Sequence, residues 1–158
     1  MKLFIKRDKT VDDSLFVVLD EECNEKYYVT GSKSTIYLTD LSETVLMKIK
    51  QLPLPALRAY SITAYNRNIK FILNSNPTAV NCYYYGNSWH IRGDVFTKSF
   101  DIIDADNSLV ATHCLRYSKS GDGVELNVFA ENRELFCIAT AICVNLDVKI
   151  NLKKAVTV

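Results

Sequence analysis

A repeated unit of two β-rich runs joined by a short polar turn constrains this chain more than any other feature. The unit occurs over residues 15–29, 35–49, 59–73 and 99–114, and a fifth unit begins at residue 124. Its turns carry Asp, Asn, Glu or Ser side chains, which tolerate tight backbone angles and bond their own main chain. Each complete unit is therefore predicted to be a β-hairpin.

Apolar residues alternate with period two in the flanking runs, which indicates strands with one buried face. The predicted inward rows are Leu15, Val17 and Leu19; Val45, Met47 and Ile49; Ile69, Phe71 and Leu73; and Val124, Leu126 and Val128. A further hairpin is predicted around Gly86-Asn87, between runs 80–85 and 88–93, with an aromatic cluster of Tyr83, Tyr84, Tyr85 and Trp89. With a first strand near residues 3–6, about twelve strands are expected.

The fifth unit changes its period after the turn. Leu135, Ile138, Ala139 and Ile142 have the spacing of a helix face, and the remaining positions are also apolar. Asn132 suits an N-cap and Asn145 suits the end, so the predicted helix spans about 132–144. A helix that is apolar all round must be enclosed on every side.

Many sequential antiparallel strands must protect their edges, and closure into a barrel does so most completely. A barrel of about twelve strands is wide enough to hold a helix. The predicted fold is mainly β (α+β), a closed antiparallel barrel around a central buried C-terminal hydrophobic helix. We expect a single domain over residues 1–158.

The repeated units, the segment WHIRGDVFTKSFDIIDADNSLVATH (89–113) and the segment VELNVFAENRELFCIATAICVNLD (124–147) resemble the tubby C-terminal-like superfamily. Within it, the chain is similar to the bacterial LURP-one-related branch, over nearly its whole length. The resemblance implies a twelve-stranded barrel around a hydrophobic helix. It also implies a binding role, because the superfamily includes phosphoinositide-binding proteins and proteins related to phospholipid scramblases.

Composition excludes several classes of function. A net charge of +1 lacks the strongly basic balance of nucleic-acid-binding domains. The N-terminus lacks the apolar stretch of a secretory signal, and the longest apolar run, 135–146, is shorter than a membrane span. The five cysteines are odd in number and share no CxxC spacing, which indicates reduced thiols. A cytoplasmic protein with no transmembrane segment is expected, located in the cytoplasm or peripherally at a membrane.

No residue pattern predicts catalysis, a metal site or a cofactor. His113 and Cys114 are adjacent on a predicted strand, so their side chains point to opposite faces and cannot act together. His113 shares its face with Leu109, Ala111 and Leu115, which favours a hydrogen-bonded core histidine, whereas His90 is expected to be exposed. Gly121-Asp122-Gly123 is predicted to be a hairpin turn and not a phosphate loop. The chain is therefore not expected to be an enzyme.

Lys48, Lys50 and Arg58 flank the loop 51–57, whose leucines and prolines place apolar tips beside positive charge. This pattern suits an anionic phospholipid surface, although a rigid turn with solvated lysines explains it as well. The first hypothesis is a non-enzymatic binding module for phospholipid headgroups or a protein partner. The alternative is a small-molecule carrier or enzyme, which requires a pocket of about 300 Å³ or more beside the helix.

Overall fold

The computed structural model describes residues 1–7, 14–32, 34–55, 57–75, 80–117 and 123–156. Gly121 and Asp122 of the predicted turn lie outside these ranges. The described residues form twelve strands and one α-helix. The strands are β1 (Lys2–Arg7), β2 (Ser14–Leu19), β3 (Glu25–Gly31), β4 (Thr35–Thr39), β5 (Val45–Leu52), β6 (Arg58–Ala64), β7 (Arg67–Ser75), β8 (Val80–Tyr85), β9 (His90–Asp94), β10 (Ser99–Ile103), β11 (Leu109–Arg116) and β12 (Gly123–Val128). The helix is α1 (Glu134–Val156).

All strand pairs are antiparallel, and the sheet order is β8-β7-β6-β5-β4-β3-β2-β1-β12-β11-β10-β9. The two terminal strands of this order, β8 and β9, contact each other, so the sheet curls into a nearly closed barrel. In the described part of the chain no hydrogen-bonded ladder joins them. We call this gap the seam. The hairpin predicted over runs 80–85 and 88–93 is therefore wrong, because β8 pairs with β7 and β9 pairs with β10.

Three turns of the repeat share one geometry at one end of the barrel, whereas the unit 59–73 has a two-residue turn at Tyr65 and Asn66, both left-handed. In the turns after β2, β4 and β10, the N–H groups of Asp20, Asp40 and Asp104 donate to the carbonyls of Asn24, Thr44 and Ser108, at 2.9 to 3.1 Å. The fourth turn residue is left-handed in each case, at Cys23, Glu43 and Asn107. Asp20 and Asp40 each also accept two backbone N–H bonds through Oδ1. We call this end of the barrel, which also carries Met1, the Asp-turn end.

The predicted inward rows are confirmed for β7 and β12, whose alternate residues are buried. In β5, Met47 and Ile49 are buried but Val45 is 55% exposed. The prediction for β2 is wrong, because Phe16 and Val18 are the buried residues. Both rows of β2 are apolar, so the sequence pattern does not indicate which row is buried. The pairing with β1 decides it, because Val18 aligns with the buried Ile5.

The helix passes through the barrel, with every residue from 134 to 144 buried. Its start differs from the prediction, because Asn132 lies within a 3-10 turn (Glu131–Arg133) whose cap residue is Ala130. Its end differs too, because Asn145 lies inside the helix and donates from Nδ2 to the carbonyl of Ala141 at 2.7 Å. An asparagine whose amide is bonded this way need not end a helix.

Candidate functional site

The outer wall of the barrel differs in charge between its two halves. On the half formed by β9 to β12 and β1, basic side chains pair with acidic ones: Lys2 and Arg116 with Glu125 at 3.5 and 3.3 Å, and Arg92 with Asp101 at 3.4 Å. The half formed by β4 to β8 contains no Asp or Glu in these strands. Its lysines are therefore the candidate functional feature.

Lys48 and Lys50 lie on the outward row of β5, and both are exposed. Lys50 aligns with Ser61 of β6, and Ser61 aligns with the exposed Lys70 of β7. Neighbouring strands are about 4.8 Å apart and alternate residues of a strand about 7 Å apart, so the backbones of the three lysines lie about 7 to 12 Å from one another. We call Lys48, Lys50 and Lys70 the lysine face; within the described residues none of them has a carboxylate partner.

Arg58 is placed apart from Lys48 and Lys50. It aligns with Leu73 of β7, whose side chain is buried, so Arg58 belongs to the inward row where β6 begins. The loop before it carries Leu54, which is 46% exposed. Ala56 of that loop lies outside the described residues.

Lys70 was not predicted, although the sequence carries the signal. Ile69 and Leu73 mark the inward row of β7, which places Lys70 outward. Between Glu43 and Asp94 the sequence contains no acidic residue and six basic ones: Lys48, Lys50, Arg58, Arg67, Lys70 and Arg92. The remainder of the chain carries all 18 acidic residues, so a net charge of +1 conceals a strong separation of charge.

Two exposed tyrosines border the lysine face. Tyr85 aligns with Lys70, and Tyr83, two residues earlier in β8, is on the same outward row. They are 58% and 49% exposed, whereas Tyr84 between them points inward and its hydroxyl lies 2.7 Å from Thr140 Oγ1. Of the predicted aromatic cluster, Tyr84 and Trp89 belong to the interior and Tyr83 and Tyr85 to the outer wall.

His113 is a hydrogen-bonded core histidine, as predicted. Its Nδ1–H donates to the carbonyl of Lys98 at 2.8 Å, and its Nε2 accepts from Asn145 Nδ2 at 3.3 Å. Burial lowers the pKa of His113 to about 4. The hydrogen bond to the Lys98 carbonyl raises this pKa, and the positive charge of Lys98 lowers it further. Ala111 shares its buried row, but Leu109 and Leu115 are exposed at the strand ends, and His90 is exposed as expected.

The thiols and acidic side chains of the described residues form neither a disulfide nor a metal-binding group. None of the five cysteines, all of which lie in the described ranges, forms a disulfide. No group of three His, Cys, Asp or Glu side chains there is placed to hold a metal ion. Measured over the same residues, no helix is both long and apolar enough to cross a bilayer.

Two concavities test the carrier alternative. The one beside the helix has a volume of about 80 Å³, well below the roughly 300 Å³ expected of a small-molecule pocket. The other, of about 340 Å³, is an open depression in the wall of β9 to β11, lined by residues that include Arg92, Asp101 and Cys114. Neither is a ligand-sized pocket beside the helix.

The described residues form a nearly closed antiparallel barrel around one apolar helix, with a basic half on its outer wall, and this fold defines the class of protein. The chain belongs to the LURP-one-related family, whose sequence model matches residues 1–145. The tubby-like part of the resemblance stays a prediction.

Two known proteins are similar to this chain. The uncharacterized protein YxjI of Bacillus subtilis is 25% identical over 154 residues, which are 92% of this chain and 93% of that protein. A crystal structure of an Arabidopsis thaliana protein is 16% identical, with a TM-score of 0.62 over 94% of this chain and 90% of that one. The second likeness confirms the fold.

Proposed function

We propose that this protein is a non-enzymatic module that binds anionic phospholipid surfaces peripherally through its lysine face. The observation that carries the proposal is the separation of charge: three exposed lysines share one wall whose strands contain no acidic residue. A juxtamembrane lysine contributes about 1 kcal/mol of attraction to an anionic leaflet. Three lysines that act together supply about 3 kcal/mol, to which the exposed side chains around them add.

The neighbours of the lysine face favour a bilayer surface. Tyr83 and Tyr85 present exposed rings beside it, and tyrosine is enriched where a protein meets the headgroup layer. Leu54 adds an exposed apolar side chain at the end of β5. A basic wall with amphipathic side chains at its border can lie on headgroups without inserting a helix.

Co-sedimentation with vesicles tests the proposal. Wild type should pellet with vesicles that contain phosphatidylserine and not with pure phosphatidylcholine, and added salt should release it. The variant K48Q/K50Q/K70Q should lose about 100-fold in affinity, because about 3 kcal/mol of attraction is removed. The matched control K2Q/R92Q/R116Q loses the same net charge from the opposite wall and should bind within about threefold of wild type. Equal loss in both variants, or no pelleting by wild type, would contradict the proposal.

A further inference from the structure

A small cavity opens at the Asp-turn end, where β7 begins and the seam between β8 and β9 meets the start of the helix. Its volume is about 80 Å³. Two arginines, two polar residues and two aromatic residues line it together with Ile69: Arg67, Arg133, Asn87, Ser88, Trp89 and Phe136. We call it the seam pocket. It lies at the rim of the barrel: Arg67 aligns with the buried Ala64 but is itself exposed, as is Ser88, whereas Trp89 and Phe136 are buried.

Arg133 is held in place within the seam pocket. Its Nη1 donates to Asp104 Oδ2 at 2.6 Å, and its guanidinium lies 5.9 Å from the centre of the Trp89 ring. The same carboxylate accepts from Ser88 Oγ at 2.6 Å and from the Ala105 N–H at 2.7 Å. One acidic group thus orients both a cation and a hydroxyl at the edge of the cavity before any ligand arrives.

Arg67 supplies the second positive charge, and it is not neutralised. Within the described residues its guanidinium has no carboxylate partner. Glu134, the acidic residue at the start of the helix, is occupied by Lys26 and Tyr27, at 2.8 and 3.1 Å from its Oε1. Two guanidinium groups against the single carboxylate of Asp104 leave the seam pocket with an excess of positive charge.

We infer that the seam pocket binds a compact oxyanion, a phosphoryl group, between Arg67 and Arg133. A guanidinium presents a planar fork of N–H donors that matches phosphoryl oxygens, and two arginines line the seam pocket. A water needs about 10 to 15 Å³ of such volume, so about 80 Å³ suits a group of a few heavy atoms and not a whole cofactor. The site is distinct from the lysine face, which lies on the outer wall, and does not rest on the proposed function.

The chain contains one tryptophan, Trp89, and it lines the seam pocket, so its fluorescence reports on the site directly. Wild type titrated with inorganic phosphate at constant ionic strength should show a saturable change in emission, matched by heat in calorimetry. R67Q should weaken binding about tenfold or more, and R67K should restore part of it. The matched control R92Q removes an exposed, ion-paired arginine from the outer wall and should bind within twofold of wild type.

A second titration, with a soluble phosphate monoester such as glycerol phosphate, and a third, with anionic vesicles, identify the source of the phosphoryl group. Saturation by either soluble ligand, lost in R67Q and kept in K48Q/K50Q/K70Q, supports the seam pocket. No saturable signal with any ligand in wild type overturns it. Equal weakening by R67Q and R92Q also overturns it, since it indicates non-specific ionic attraction. A signal given only by vesicles and lost in K48Q/K50Q/K70Q belongs to the lysine face and overturns it as well.

Discussion

The two ends of the buried stretch of the helix, residues 134–144, are held by different chemistry. At the Asp-turn end, the carboxylate of Glu134 binds the ammonium of Lys26 and the hydroxyl of Tyr27. At the far end, the Lys98 ammonium donates to the Val144 carbonyl at 2.8 Å, and a neutral His113 accepts from Asn145. The first end depends on an ion pair, the second on an imidazole that must stay uncharged. Acid should therefore loosen the far end first.

The stretch between the two ends is apolar and sets the largest expected effect. Ile138 is fully buried near the middle of the enclosed stretch 134–144. I138D should destabilise the protein by more than about 4 kcal/mol, because an unpaired charge would enter the closed interior of the barrel. Urea unfolding followed by circular dichroism measures this. V45D, at a position 55% exposed, is the matched control and should unfold near the wild-type midpoint. A stable I138D would show that the helix is not enclosed.

Acid titration should loosen the far end through His113. Its pKa is lowered to about 4 in the folded state from 6.5 when unfolded, so only the unfolded chain takes up a proton between these values. Stability is therefore full above pH 6.5 and declines as the pH falls to 4, by about 3 kcal/mol in total. Urea midpoints measured across this range test the prediction. H113Q should flatten the profile and H90Q should keep it; equal slopes in both would remove His113 as the cause.

The Asp-turn end is tested by E134Q. The amide keeps a hydrogen-bond acceptor for Tyr27 but leaves the half-buried Lys26 without its counter-charge, so we expect a loss of about 2 kcal/mol. E131Q, an exposed position in the preceding 3-10 turn, is the matched control and should change stability by less than about 0.5 kcal/mol. If the two variants unfold alike, the ion pair contributes nothing to holding the helix.

Thiol labelling sharpens the comparison without changing stability. Cys137 and Cys143 are both fully buried, one in each half of the enclosed helix, and burial raises the pKa of Cys137 to about 12. In single-cysteine variants, both should react with a thiol reagent far more slowly than the exposed Cys23. At pH 5 the protection of Cys143 should fall more than that of Cys137. The reverse order would show that the Asp-turn end opens first.

Periodicity was sufficient to predict the strands, the barrel and the enclosed helix. Alternating apolar residues show which face of a strand is buried, and apolar residues on every side of a helix show that it is enclosed. It failed where burial does not follow from pattern. Both rows of β2 are apolar, so only its register with β1 decides which row is buried. Asn145 indicates a helix end in the sequence, but its bonds to Ala141 and His113 place it inside the helix.

The candidate sites show the same limit. Lys48 and Lys50 were predictable as outward residues, whereas the inward placement of Arg58 depends on its alignment with Leu73. The seam pocket could not be predicted, since Arg67, Trp89 and Arg133 come from three separated turns and nothing local indicates that they meet. A count of acidic residues along the chain would have found the basic half of the wall.

The seam also determines how the barrel can be assembled as the chain is made. The sheet becomes continuous only when β12, the last strand, pairs with β1, the first strand. The helix follows β12 in the chain. Until then the β1 edge and the apolar inner rows of β1 to β8 stay uncovered, a state prone to aggregation. Because no ladder ties β8 to β9 in the described chain, the β1–β12 ladder is what joins β9 to β12 to the strands made before them. We expect formation of the long-range β1–β12 ladder to limit the folding rate.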